Sequence, residues 1–147
     1  MVAFMTLRLT KIYRPDTSTP LELRVFLYRV PAGFPSPADD YLDEFLDLNK
    51  KLITNKSATF LARAEGHSMK GAGIFSGDIL IVDRSIKPVS GKVVVASLNG
   101  ELIVKRYRVI GGNAFLMSEN SSFEPIPLNE DQELVIWGVV VHCIHSI

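Results

Sequence analysis

Apolar runs bounded by turn residues dominate this 147-residue chain from residue 58 onward. Such runs, with side chains alternating between two faces, are typical of β-strands. Asn99-Gly100 is a strong signal for a two-residue hairpin between two of them. The pattern predicts a mainly β domain with strands near 58–64, 79–83, 92–98, 101–107, 114–118 and 134–144.

Two shorter strand-like segments precede this domain. Residues 6–13 alternate in part, residues 15–20 are turn-like, and residues 21–28 alternate again. The residues on one face of this second segment are Leu21, Leu23, Val25 and Leu27. We expect such an extended N-terminal arm to lie on an apolar surface or to pair with a sheet edge. The alternative is that it forms the first hairpin of the domain.

The segment 30–37 contains three prolines and one glycine. This composition excludes helix and favours an extended, accessible linker. Extended backbone is what a peptidase accepts, and the small side chains of Ala32 and Gly33 leave the carbonyl between them open. An ordinary interdomain turn is the alternative interpretation.

One helix is predicted after this linker. Ser36 can act as its N-cap, Pro37 suits its first turn, and Lys50 and Lys51 suit its last. The apolar residues at helical spacing, which we expect to pack in a core or a dimer interface, are Tyr41, Leu42, Phe45, Leu46, Leu52 and Ile53.

Composition excludes several classes of protein. With 47% hydrophobic and 22% charged residues the chain is globular, and it has no apolar run of membrane-spanning length. We expect no secretory signal, since residues 1–10 lack the pattern of one. The single Cys143 cannot form an internal disulfide, which fits the cytoplasm. Residues 1–32 carry a net charge of +3 and the remainder −3, without the basic stripe of a protein that binds DNA directly.

Candidate chemistry centres on Ser68 and Lys105. Gly66 allows a sharp turn that can expose the Ser68 hydroxyl and nearby backbone N–H groups to one point. No His–carboxylate pair stands at a useful spacing, but Lys105 shares a strand face with Ile103 and Tyr107, where an apolar setting disfavours its charged form. A Ser–Lys catalytic pair is one hypothesis, and an ordinary turn with a surface lysine is the other.

Other reactive side chains have simpler explanations. His142 and Cys143 point to opposite faces of a strand, so with His145 they are expected to pack rather than bind metal. Asp78 and Asp83 stand where turns and strand ends place acids. His67 is expected to be a solvent-facing neighbour of the nucleophile rather than its base. We expect no metal and no cofactor.

Several motifs together resemble the UmuD/MucA family, within the LexA-type group of self-cleaving proteins. In chain order they are Gly33-Phe34-Pro35-Ser36-Pro37, Gly66-His67-Ser68-Met69, Gly77-Asp78-Ile79-Leu80-Ile81-Val82-Asp83, Val104-Lys105-Arg106 and Glu119-Asn120-Ser121. The resemblance implies a LexA/UmuD-type, signal-peptidase-like β domain. It also implies that Ser68 is the nucleophile, Lys105 the general base, Ala32–Gly33 the scissile bond, and the backbone N–H groups of His67 and Ser68 the oxyanion donors.

The resemblance further implies a biological role. Residues 1–32 would be an arm removed by self-cleavage on a RecA–single-stranded-DNA filament. Residues 33–147 would be a catalytic and dimerisation domain, working as a homodimer with a UmuC-like error-prone polymerase in SOS translesion synthesis, without sequence-specific DNA binding or a membrane. Two alternatives stay open: a signal-peptidase-like enzyme acting on other chains, and a non-enzymatic interaction module.

Overall fold

The computed structural model describes residues 6–26, 43–129 and 134–147. Contacts divide the chain into two compact units, one formed by Met1–Pro15 with Asn55–Ile147 and the other by Asp16–Thr54. Among the described residues, no helix is long and apolar enough to cross a membrane.

An antiparallel sheet of eight strands forms most of the larger unit. The strands are β1 (Arg8–Tyr13), β4 (Thr59–Glu65), β5 (Ile79–Asp83), β6 (Val93–Leu98), β7 (Glu101–Ile110), β8 (Asn113–Met117), β9 (Ile126–Pro127) and β10 (Leu134–Ile144). Their order in the sheet is β1-β4-β5-β10-β6-β7-β8-β9, and β1 also pairs with β7, which closes six strands into a ring. Short 3-10 turns occupy Lys56–Ala58 and Lys70–Ala72.

The predicted mainly β fold is confirmed, and so are the hairpin signals within it. Asn99 and Gly100 both have positive φ, at 51° and 83°, as a tight hairpin between β6 and β7 requires. Gly111 and Gly112 make the equivalent turn between β7 and β8, again with positive φ. Within the larger unit, β9 was not predicted from the sequence pattern, because two residues are too few to show alternation.

Two apolar clusters fill the larger unit. The first packs side chains from several strands against the turn after β4, and comprises Leu7, Phe60, Ala62, Ala64, Met69, Ile74, Leu80, Val82, Val95 and Val104. The second comprises Val94, Ala96, Ile103, Leu116 and Val139. Val104 belongs to the first cluster and Ile103 to the second, because consecutive strand residues point to opposite faces.

The expectation that the N-terminal arm pairs with a sheet edge is confirmed for β1. It lies between β4 and β7, with Arg8 opposite both Glu65 and Ile103. The alternative of a first hairpin is wrong, because β1 does not pair with β2 (Glu22–Phe26). β2 pairs instead with β3 (Asp43–Asp47) in a two-stranded sheet of the smaller unit.

The helix in the structure is much shorter than the segment with helical spacing of apolar residues. Residues 36–42 lie outside the described residues, residues 43–47 form β3, and only α1 (Leu48–Leu52) is helical. Its N-cap is Asp47, whose carboxylate accepts a 2.9 Å bond from the Asn49 N–H, while Lys50 and Lys51 stand in its last turn as predicted. Pairing with β2 provides hydrogen-bond partners for the backbone N–H and C=O groups of residues 43–47. The spacing of apolar residues within a short segment cannot predict this pairing.

Candidate active site

Ser68 lies in the turn that follows β4, and its side chain is fully buried. Two residues earlier, Gly66 has a φ of +124°, which lets the chain turn sharply out of the strand. Bonds from Lys70 N–H to the His67 carbonyl (3.4 Å) and from Ala72 N–H to the Met69 carbonyl (3.0 Å) hold the rest of the turn. The glycine-directed turn predicted from the sequence is therefore present, although it presents Ser68 to an interior position.

Lys105 lies on β7 and is 2% exposed. Its Nζ donates a 2.5 Å hydrogen bond to Ser118 Oγ and stands 4.9 Å from the centre of the Phe123 ring. No carboxylate pairs with it among the described residues. Burial without a counter-ion disfavours the ammonium form and lowers the pKa of Lys105 from its ordinary 10.5 to about 8.

Two short links connect Ser68 and Lys105, although no hydrogen bond joins them directly within the described chain. The Ser68 carbonyl accepts a 2.8 Å bond from the N–H of Glu119, the residue after the Ser118 that holds Lys105. On the other side, Leu7 donates its N–H to Ser68 Oγ (2.8 Å) and accepts from Val104 N–H (2.9 Å). The fold therefore gathers the two predicted residues from positions 37 apart in the sequence.

Sequence reasoning missed Ser118, although the register of the β7–β8 hairpin contained the signal. With Gly111-Gly112 as the turn, Ile110 pairs with Asn113 and Arg106 with Met117. Continuing the same register by one residue places Ser118 opposite Lys105. Phe123, beyond the strand, had no such signal in the pattern.

An ion pair fixes the strand beside Lys105. Arg106 Nε donates to Glu119 Oε1, and Arg106 Nη1 donates to the Gly91 carbonyl at 2.6 Å. Because Arg106 and Glu119 neighbour Lys105 and Ser118 respectively, this pair holds the two strands in register at the site.

The region expected to hold an oxyanion surrounds His67. The His67 carbonyl accepts a 3.3 Å hydrogen bond from Asn120 Nδ2. In the described parts of the chain, the backbone N–H groups of His67 and Ser68 have no acceptor. The buried Nδ1 of the His67 ring also has no hydrogen-bond partner there. Through Nδ1 the ring thus makes no hydrogen bond to the Ser68 hydroxyl, and the ring is half-buried rather than solvent-facing as expected.

The remaining candidates form separate structural contacts. Buried Asp78 accepts from Phe75 N–H (2.8 Å) and Cys143 Sγ (3.2 Å), and its other oxygen lies 2.6 Å from His145 Nδ1. Desolvation opposes ionisation of Asp78, but these hydrogen bonds outweigh it and lower its pKa. Burial, with Asp78 beside it, raises the pKa of the Cys143 thiol to about 12, so this thiol is a poor nucleophile.

Asp83 has a similar role at the end of β5. It accepts from Asn55 Nδ2 at 2.8 Å and from the Ser85 N–H and hydroxyl at 2.8 and 2.6 Å. Within the described residues, no three His, Cys, Asp or Glu side chains converge as metal ligands. Ala32 and Gly33 lie outside the described residues, so the scissile bond stays a prediction.

The chain is similar to several known proteins. The family described as Peptidase S24-like matches residues 24–141. The chain is 46% identical over 122 residues to protein SamA of Salmonella typhimurium, covering 83% of this chain and 84% of SamA. It is 40% identical over 120 residues to protein MucA of Escherichia coli, covering 81% and 82%. It is 38% identical over 130 residues to the LexA repressor of Pseudomonas chlororaphis, covering 88% and 61%.

Proposed function

Because the chain belongs to the Peptidase S24-like family, we propose that it is a serine peptidase that cleaves itself between Ala32 and Gly33. Ser68 is the nucleophile and Lys105 the general base. The observation that carries this proposal is the buried Lys105, whose pKa falls to about 8 without any carboxylate partner among the described residues. A structural lysine gains nothing from such burial, whereas a general base needs it.

In the proposed reaction, neutral Lys105 accepts the hydroxyl proton of Ser68 as Oγ attacks the carbonyl carbon of Ala32. The backbone N–H groups of His67 and Ser68 stabilise the oxyanion of the tetrahedral intermediate. Lys105 then returns the proton to the departing amine of Gly33, and water hydrolyses the acyl-enzyme by the same base. The hydrogen bond to Ser118 holds Nζ of the long Lys105 side chain in place. Lys105 therefore loses less conformational freedom on reaching the transition state.

We propose that this cleavage serves the SOS response. The likeness to MucA and to a LexA repressor supports stimulation by a RecA–single-stranded-DNA filament, as the resemblance to the UmuD/MucA family implies. Residues 33–147 would then act in the cytoplasm as a homodimer, as accessory subunit of a UmuC-like error-prone polymerase in translesion synthesis. The filament would act by favouring the conformation in which residues 28–35 are docked at Ser68, which is a population shift.

The test is the intact mass of the purified chain after incubation at alkaline pH, with and without an activated RecA filament. We expect a fragment that begins at Gly33 from the wild type and none from Ser68→Ala or Lys105→Ala. Lys87→Ala, an exposed lysine, is the matched control and should cleave like the wild type. An intact wild-type chain under both conditions would exclude self-cleavage and favour a non-enzymatic module.

A further inference from the structure

The N-terminal strand occupies the space in front of the candidate nucleophile. Thr6-Leu7-Arg8-Leu9, here called the plug segment, runs between the end of β4 and the first residues of β7. Leu7 uses both of its backbone groups there, donating to Ser68 Oγ at 2.8 Å and accepting from Val104 N–H at 2.9 Å. An extended peptide added to exposed strands in this way is a common mode of peptide recognition.

The groove is shaped closely around this segment. The Leu7 side chain is fully buried in the first apolar cluster, against residues such as Met69 and Val104. A Cβ on Gly66 would lie 2.4 Å from the Thr6 carbonyl oxygen, so the absence of a side chain at Gly66 makes room for the backbone of the plug segment. The contact therefore uses the same glycine that directs the turn to Ser68.

The plug segment is not in a position to be cleaved. An N–H group donates within the plane of its peptide, whereas a nucleophile attacks a carbonyl carbon from above that plane. The bond from Leu7 N–H thus holds Ser68 Oγ beside the Thr6–Leu7 peptide in the wrong direction for attack. It also occupies a lone pair of the hydroxyl, while Lys105 bonds Ser118 instead of Ser68.

We propose that the plug segment is an internal competitor of self-cleavage, and that residues 28–35 reach Ser68 only when residues 6–9 leave the groove. The proposal rests on the function proposed above. Ser68 is fully buried and, within the described residues, its Oγ accepts from Leu7 N–H, so under this proposal Leu7 leaves before another carbonyl is attacked. The groove then has two alternative occupants from one chain, and whatever favours release of the plug segment activates cleavage.

A reversible lock tests the competition directly. Arg8 and Glu65 are Cα partners across β1 and β4, so Arg8→Cys with Glu65→Cys can form a disulfide that holds the plug segment. Tyr13 and Leu61, partners at the far end of β1, give the matched control, which fixes the strand but leaves residues 6–9 able to separate. Peptide mapping verifies both disulfides and shows that Cys143 stays free.

We expect the oxidised Arg8–Glu65 lock to abolish self-cleavage at alkaline pH and reduction to restore it. The control pair should cleave equally when oxidised and when reduced. Cleavage of the oxidised Arg8–Glu65 lock at the wild-type rate would overturn the proposal. If no variant cleaves, and the wild type does not cleave either, the result counts against self-cleavage itself. The occupancy of the groove is then tested by the alkylation experiment below.

The rate of thiol alkylation at position 68 measures access to the groove and does not depend on catalysis. In Ser68→Cys, iodoacetamide should modify the introduced thiol at least ~10-fold faster when Leu7→Ala is added, since loss of a buried leucine side chain weakens the docked state. Ile12→Ala, a half-exposed aliphatic position on the same strand, should leave the rate unchanged. A synthetic peptide of residues 27–37 should slow alkylation of the Leu7→Ala protein. Equal rates in all three proteins, or no protection by the peptide, would refute a shared groove.

Discussion

The pH dependence of self-cleavage gives the sharpest test of the neutral-lysine mechanism. The perturbation is a change of pH from 6.5 to 10.5 with wild type and Lys87→Ala, in the absence of any RecA filament. Lys105 acts as base only when it is neutral, so the rate should follow its neutral fraction and rise with pH. With the pKa of Lys105 at about 8, roughly one-tenth is neutral at pH 7, about half at pH 8 and about nine-tenths at pH 9.

The expected profile is therefore a rise of about tenfold from pH 7 to a plateau above pH 9, with its midpoint near 8. A lysine with its ordinary pKa of 10.5 would instead be neutral in only about one molecule in three thousand at pH 7, and its rate would still be rising at pH 10. The assay is intact mass against time at each pH, with Ser68→Ala to exclude hydrolysis by hydroxide. A flat rate from pH 7 to 9.5 would refute the reasoning.

Stability gives an independent measure of the same pKa. Because the folded pKa of Lys105 lies below the unfolded value, the folded chain binds fewer protons between about pH 8 and 10.5. The contribution of Lys105 to the free energy of unfolding must therefore increase as pH rises through this window. Lys105→Met should remove that increase when both proteins are unfolded by urea in the Ser68→Ala background. Parallel curves for the two proteins would show that the lysine is not desolvated.

Two further predictions concern residues beside the site and in the sheet. Ser118→Ala removes an acceptor from the Lys105 ammonium group, so the midpoint of the pH profile should fall, and the plateau rate should drop about tenfold because Nζ is no longer held. Ser121→Ala, at an exposed position in the same segment, is the control. An unchanged plateau rate in Ser118→Ala would exclude a positioning role for Ser118. Gly138→Ala places a Cβ 2.9 Å from both the Asp83 carbonyl oxygen and Val82 Cγ1. It should lower the free energy of unfolding, measured in urea, by about 2 kcal/mol, whereas Val135→Ala at an exposed position should lower it by less than about 0.5 kcal/mol. Equal stability of the two variants would show that the sheet yields at Gly138.

Most strands of the larger unit were determined by local sequence, β9 being the exception. The run at 79–83 and the long run at 134–144 each form the strand that was predicted, since alternation and bounding turn residues act over a few positions. The Asn99-Gly100 hairpin followed from the same short-range chemistry. Ser68 and Lys105 were singled out by residue type and by the order of the family motifs, which needs no coordinates.

Only the tertiary structure decided which segments meet. Nothing local distinguishes residues 43–47 as a strand from the helix that their apolar spacing suggests, because the deciding partner, β2, lies about 20 residues earlier. The insertion of Leu7 between Ser68 and Val104 joins positions 61 and 97 residues apart, and no periodicity carries that information. The pKa of Lys105 is likewise a property of burial, which depends on every element packed around it.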